Sequence, residues 1–143
     1  MADVKSKADR SLNMSKIKGE NTTPEMQVRK YLFSKGFRYH LHNKELPGKP
    51  DLVLTKYRTV IFVNGCFWHG HQNCPRFVWP EQNPEFWKKK ILSNICRDQK
   101  NVELLEELDW KVIEVWECQL SNKKKREQTL ELLVEQILLN TGH

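Results

Sequence analysis

The stretch from Val63 to Cys74 reads VNGCFWHGHQNC. It sets two cysteines, two histidines, a Phe-Trp pair and two glycines directly after Thr59–Val63, a β-branched and aromatic run that reads as a buried strand. A hydrophobic core requires no such collection of polar ligands at a strand end. The loop therefore reads as a binding site that a strand delivers.

Part of that site has the chemistry of zinc. Cys66, His71 and Cys74 supply three ligands on one loop, and a closed tetrahedral zinc site takes a fourth. Two of the four cysteines remain. Cys96 adjoins Ile95 on a helix flank and reads as a small core hydrophobe. Cys118 follows the alternating strand KVIEVW, whose end can approach the loop, and is the expected fourth ligand. The alternative is buried thiols without metal. This assignment leaves His69 outside the metal shell, where an imidazole can move protons near neutral pH.

A chain of 143 residues is read as one domain, 1–143. Residues 1–21 are polar and basic, with Lys16 and Lys18 beside Met14 and Ile17, and read as a mobile arm or one that orders on a partner. Thr22-Thr23-Pro24-Glu25 predicts a helix start and Gly36 its stop. FRYHL predicts a strand, and LVLTKYRTVIFV two strands around a turn near Lys56–Arg58. A helix is expected from about Asn83 to Leu108, with a possible break, then the strand KVIEVW. An amphipathic C-terminal helix is placed in 121–143, with Leu130, Leu133, Val134, Ile137 and Leu138 on one stripe. The order α-β-β-β-α-β-α predicts an α/β fold, a mixed sheet flanked by helices. The start lacks an apolar leader, and no apolar run is long enough to span a bilayer, which predicts a soluble, non-secreted protein. The net charge of +6 favours a polyanionic partner.

Carboxylates stand at unusual positions. Glu25 shares a helix face with Val28 and Leu32, and Asp98 shares one with Ile91, Ile95, Val102 and Leu105. A buried carboxylate requires a cation, a histidine or donors. Glu25 is otherwise a capping residue and Asp98 a member of a structural ion pair. Asp51, in PGKPDLVL at the mouth of a strand, is otherwise a turn residue. Three carboxylates and a histidine around a sheet resemble a metal-dependent phosphodiesterase site. Phe67 and Trp68 default to core packing. Yet they adjoin His69, and Phe86 and Trp87 adjoin three lysines, a mixture suited to stacking on bases while cations meet phosphates.

These motifs together (FVNGCFWHGHQNC, PGKPDLV, RSLNMSKI, EFWKKKI, Arg97-Asp98 and VWEC) closely resemble the very short patch repair (Vsr) endonucleases over roughly Ala2 to Cys118. The resemblance implies a restriction-endonuclease-like αβββαβ core and nicking of DNA 5′ of the thymine in T:G mismatches left by 5-methylcytosine deamination. It implies catalytic Mg²⁺ at Asp51 with the carbonyl of Val63, Glu25 near the metal's water, proton transfer by His69, and support of His69 by Asp98. Cys66, His71, Cys74 and Cys118 match structural Zn²⁺ ligands. Phe67, Trp68 and Trp87 match aromatics that enter the major groove. Met14 and Ile17, flanked by Lys16 and Lys18, match a helix at the minor groove. A monomer in the bacterial cytoplasm, on nucleoid DNA, followed by a repair polymerase and ligase, is also implied.

The sequence departs from that pattern. Asn64 stands where well-known members carry a second catalytic histidine; an amide donates hydrogen bonds but cannot shuttle protons. One extra residue separates His71 from Cys74. The acid-x-lysine of the wider nuclease superfamily is absent from Ile61-Phe62-Val63. Two other readings stay open: a zinc-stabilised module that binds distorted DNA without cutting, and a nuclease of the same fold with another specificity.

Overall fold

The computed structural model describes residues 22–139, so the arm with Met14, Lys16, Ile17 and Lys18 lies outside the described residues. Thr22 Oγ1 accepts from the Glu25 N–H at 3.3 Å, and helix α1 follows over Thr23–Ser34. Gly36, at φ 92°, lets the chain leave the helix in a left-handed turn. The following elements are β1 (His40–Leu41), β2 (Leu52–Leu54), β3 (Thr59–Asn64), α2 (Pro84–Glu107), β4 (Lys111–Trp116) and α3 (Lys123–Leu138). The order is the expected one. FRYHL contributes only a two-residue edge strand. The turn between β2 and β3 is a 3-10 turn closed by Arg58 at φ 49°. Helix α2 runs unbroken for 24 residues.

The strands lie in the order β1-β2-β3-β4, the first two pairings antiparallel and β3–β4 parallel. Helix α2 is the crossover that a parallel pair requires. Strand side chains alternate, so the sheet presents two apolar faces. Leu52, Leu54, Ile61, Ile113 and Val115 pack with Val28 and Leu32 of α1 and with Leu130, Leu133 and Ile137 of α3. Val53 and Val60 point the other way, onto Leu105 of α2. The result is an α/β fold with a mixed four-stranded sheet between helices.

Two apolar expectations are corrected. Cys96 is exposed, because Ile91 and Asn94 share the buried face of the helix and position 96, about 200° around from Asn94, turns to solvent. Leu138 is 45% exposed, one residue beyond the buried Ile137 that ends the α3 stripe.

Candidate functional site

The parallel register explains how the metal-ligand set forms. Asn64 is opposite Trp116, so Cys66 and Cys118 each lie two residues beyond a matched pair and emerge side by side. The ligand atoms of Cys66, His71, Cys74 and Cys118 all lie within 4.8 Å of one another, an arrangement that can hold a metal ion. Cys118 Sγ is 3.5 Å from His71 Nδ1. The His71 ring stacks on Trp116 at 3.9 Å and 4°, which fixes its plane. Burial lowers the His71 pKa, favouring the neutral, ligating imidazole, and burial chiefly pushes the Cys66 thiol up to about 12. Three thiols crowded in this way suit a dication, which would deprotonate them.

The same loop carries His69. Residues Gly65–Gly70 form a tight coil, with the His69 N–H on Gly65 O at 3.2 Å and the His71 N–H on Cys66 O at 2.9 Å. Two residues of α2, one turn apart, hold it. Asn94, which sequence reasoning missed, donates from Nδ2 to Trp68 O at 2.9 Å. Asp98 Oδ2 lies 2.5 Å from His69 Nδ1. Gly70 makes this approach possible: at φ +57°, a Cβ there would lie 2.6 Å from Ile95 Cδ1 and 2.9 Å from Ile91 Cγ2. Asp98 is consequently half-buried, its side chain 25% exposed, because the loop rather than the sheet covers that part of α2. His69 and Asp98 open into a cleft of about 630 Å³ whose walls include Gln99, Glu103, Glu114 and Trp116. Asn64 is 4% exposed and turns inward, its Nδ2 donating to Glu114 Oε2 at 3.4 Å.

A second group of ligands joins three elements. Glu25 of α1, 1% exposed, lies with Asp51 at the mouth of β2 and with His42 just past β1. Their ligand atoms also fall within 4.8 Å. Asp51 Oδ2 accepts from the Val63 N–H at 2.7 Å. His42 Nε2 is 2.8 Å from Glu25 Oε2 and 4.0 Å from Asp51 Oδ1. Arg29 Nη1 approaches the same Glu25 oxygen at 3.4 Å. The only sequence signal for His42 was a histidine at the end of a short strand.

Burial, partly offset by the Val63 amide, raises the Asp51 carboxyl from 3.8 to about 6. A carboxyl raised in this way destabilises the fold once ionised, and the loss accumulates as pH rises from about 4 to 6. The shift corresponds to on the order of 3 kcal/mol above that window. Asp51→Asn is therefore expected to be more stable than wild type at pH 7.5 in magnesium-free buffer, by up to about 3 kcal/mol. The advantage should vanish below pH 4, where wild-type Asp51 is protonated. Denaturant melts at the two pH values measure it.

Phe67, Trp68 and Trp87 form a third group, each pair at 5.3–5.8 Å between ring centroids. Phe77 extends it from Phe67 at 6.1 Å, and Phe86 from Trp87 at 5.3 Å. The three are half-buried against one another and belong to neither apolar core cluster.

The family model described as DNA mismatch endonuclease Vsr matches residues 2–76, over half of the chain. The chain belongs to the Vsr family. Among its Vsr relatives, the DNA mismatch endonuclease Vsr of Escherichia coli is 43% identical over 87% of this chain and 80% of its own length. The type II nicking enzyme V.NmeAIP of Neisseria meningitidis is 47% identical over 96% of this chain and 97% of its own. The type II nicking enzyme V.XorIIP of Xanthomonas oryzae is 43% identical over 85% and 89%. The Vsr match contains Glu25, His42, Asp51 and the loop to Cys74, whereas Trp87, Asp98 and Cys118 lie beyond it. The described residues contain no helix long and apolar enough to cross a membrane.

Proposed function

We propose that this chain is a single-domain, restriction-endonuclease-like enzyme that nicks one strand of duplex DNA 5′ of the thymine in a T:G mismatch. It acts as a monomer in the bacterial cytoplasm, upstream of a polymerase and a ligase. The observation that carries this reading is the junction of two devices on one loop. The aromatic group at Phe67, Trp68 and Trp87 directly adjoins the His69–Asp98 pair. A module that only bound distorted DNA would gain nothing from a carboxylate-oriented histidine beside its aromatics.

The donor sets fit two ions. Asp51, Glu25 and the carbonyl of Val63 would hold a divalent cation such as Mg²⁺, since two carboxylates brought together from α1 and the mouth of β2, one raised to about 6 by burial, are stabilised by a cation. Cys66, His71, Cys74 and Cys118 would hold Zn²⁺ and brace the loop. The catalytic cation, when bound, supplies charge neutralisation at the scissile phosphate.

The chain's own groups do the rest. Asp98 at Nδ1 fixes the His69 ring and leaves Nε2 to take a proton from the attacking water or give one to the leaving oxygen. Asn64, with donors only on its amide nitrogen, supports Glu114 in the cleft wall and cannot replace a second histidine in proton transfer. Met14, Lys16, Ile17 and Lys18 contact the opposite groove and the phosphates, which makes affinity salt-sensitive.

The aromatics supply selectivity. Unstacking a base step costs a few kcal/mol and less at a mismatch, so a wedge favours mispaired DNA. Trp68→Ala should lose only about 1 kcal/mol of stability, since its partners are other rings outside the core, against about 3–5 kcal/mol for emptying a large core site. It should keep its zinc and lose most discrimination between T:G and T:A duplexes. Paired melting and binding curves decide this. The function itself is tested by a nicking screen over T:G duplexes in varied flanking sequence, each with a T:A control. Several relatives are named as type II nicking enzymes, and cutting tied to one flanking sequence whatever the central pair would favour a nuclease of the same fold with another specificity.

A further inference from the structure

His42 serves no role in the mechanism above, yet its position is specific. It sits one residue beyond β1 with φ 47°, a left-handed backbone that non-glycine residues adopt uncommonly. Its N–H still donates to Asp51 O at 3.1 Å, continuing the β1–β2 ladder. The unusual backbone therefore turns the side chain without breaking the sheet. The imidazole is 16% exposed and stands between two carboxylates. Asp51 uses Oδ2 for the Val63 amide, so Oδ1, 4.0 Å from His42 Nε2, is the oxygen left for a ligand. Glu25 already has Arg29 at 3.4 Å, so neutralising Glu25 does not by itself account for a second nitrogen at 2.8 Å. The nitrogen and two carboxylate oxygens converge within 4.8 Å, from three different elements.

We propose that His42 Nε2 is a direct ligand of the divalent cation held by Glu25 and Asp51. One imidazole among oxygens changes the preference of the site. Oxygen-only sites suit Mg²⁺ and Ca²⁺, and nitrogen favours first-row transition ions. The site therefore gains more for Mn²⁺ than for Mg²⁺. This rests on the reading of Glu25 and Asp51 as the cation site.

The test uses the full zinc-loaded chain and Mn²⁺, which stands below zinc in affinity for most ligand sets and so leaves the thiolates occupied. His42→Asn is the chosen variant, because asparagine tolerates the left-handed backbone. Pulsed electron paramagnetic resonance of the wild type with one equivalent of Mn²⁺ should show coupling to a directly bound nitrogen, and His42→Asn should lose it. Calorimetry should show Mn²⁺ affinity falling by about tenfold or more in His42→Asn, and Mg²⁺ affinity by less than about threefold. Stoichiometric Mn²⁺ binding without nitrogen coupling in the wild type overturns the proposal, and so does coupling that persists in His42→Asn. Asp51→Asn separates the two readings. If it binds Mn²⁺ as tightly as wild type, the cation is not at Glu25 and Asp51, and the site reading fails first.

Discussion

The wild type should hold about one zinc ion per chain, and Cys118→Ser should lose most of it. A structural zinc site contributes roughly 10–16 kcal/mol, so removing one of four ligands should cost roughly 2.5–4 kcal/mol. Serine keeps the size of the side chain and loses the thiolate, and the Sγ it removes lies 3.5 Å from His71 Nδ1. Because the same loop carries His69, the damage should spread to activity. Cys96→Ser is the internal control. That thiol is exposed, and its replacement should stay within about 0.5 kcal/mol of wild type. Elemental analysis and denaturant melts measure both variants. Full zinc occupancy in Cys118→Ser would remove the fourth ligand from the account.

The second large effect is on rate. His69→Ala should bind a T:G duplex as wild type does and nick it roughly 10²–10⁴-fold more slowly, the span of lost acid-base catalysis. Asp98→Asn should lose less, because the ring remains and only its orientation and charge balance suffer. Acting through one group, the two changes should not add: the double variant should be about as slow as His69→Ala alone. Asp51→Asn should be inactive as well, despite its greater stability at pH 7.5. A variant more stable than wild type and unable to cut would identify the site as one that sacrifices stability for function. Single-turnover rates beside binding isotherms separate chemistry from affinity. A fall of less than about tenfold in His69→Ala would assign the proton transfer to another group.

The order of elements was legible because periodicity and caps are local. Thr22, Pro24 and Gly36 bound α1, and the alternating strands sort onto two sheet faces as their patterns imply. The burial of Glu25 was also legible, since Val28 and Leu32 share its helix face. The convergence of Cys118 on the loop was anticipated from strand ends, and the β3–β4 register supplies its geometric reason. What eluded the sequence depends on how distant elements pack. Asp98 reads as a core position by helix angle alone, but the coil at Gly65–Gly70 covers that stretch of α2 and leaves a cleft. Asn94 looks like any polar residue on a long helix until Trp68 O is found against it. His42 is invisible for the same reason: its partners lie 17 residues before it, at Glu25, and beyond the following loop, at Asp51. Cys96 misled because a cysteine beside an isoleucine reads as apolar, while neighbours on a helix point in different directions.

The proposed role of the loop after β3 is to read a mismatch and cut beside it. Its most direct test is to map breaks in a duplex carrying one T:G pair, with both strands end-labelled, in the presence of Mg²⁺ and under single-turnover conditions. One break is expected, on the thymine strand, immediately 5′ of the mispaired thymine, with the matched T:A duplex left essentially intact. Equal cutting of the T:A duplex, breaks in both strands, or no break at all despite binding would contradict it.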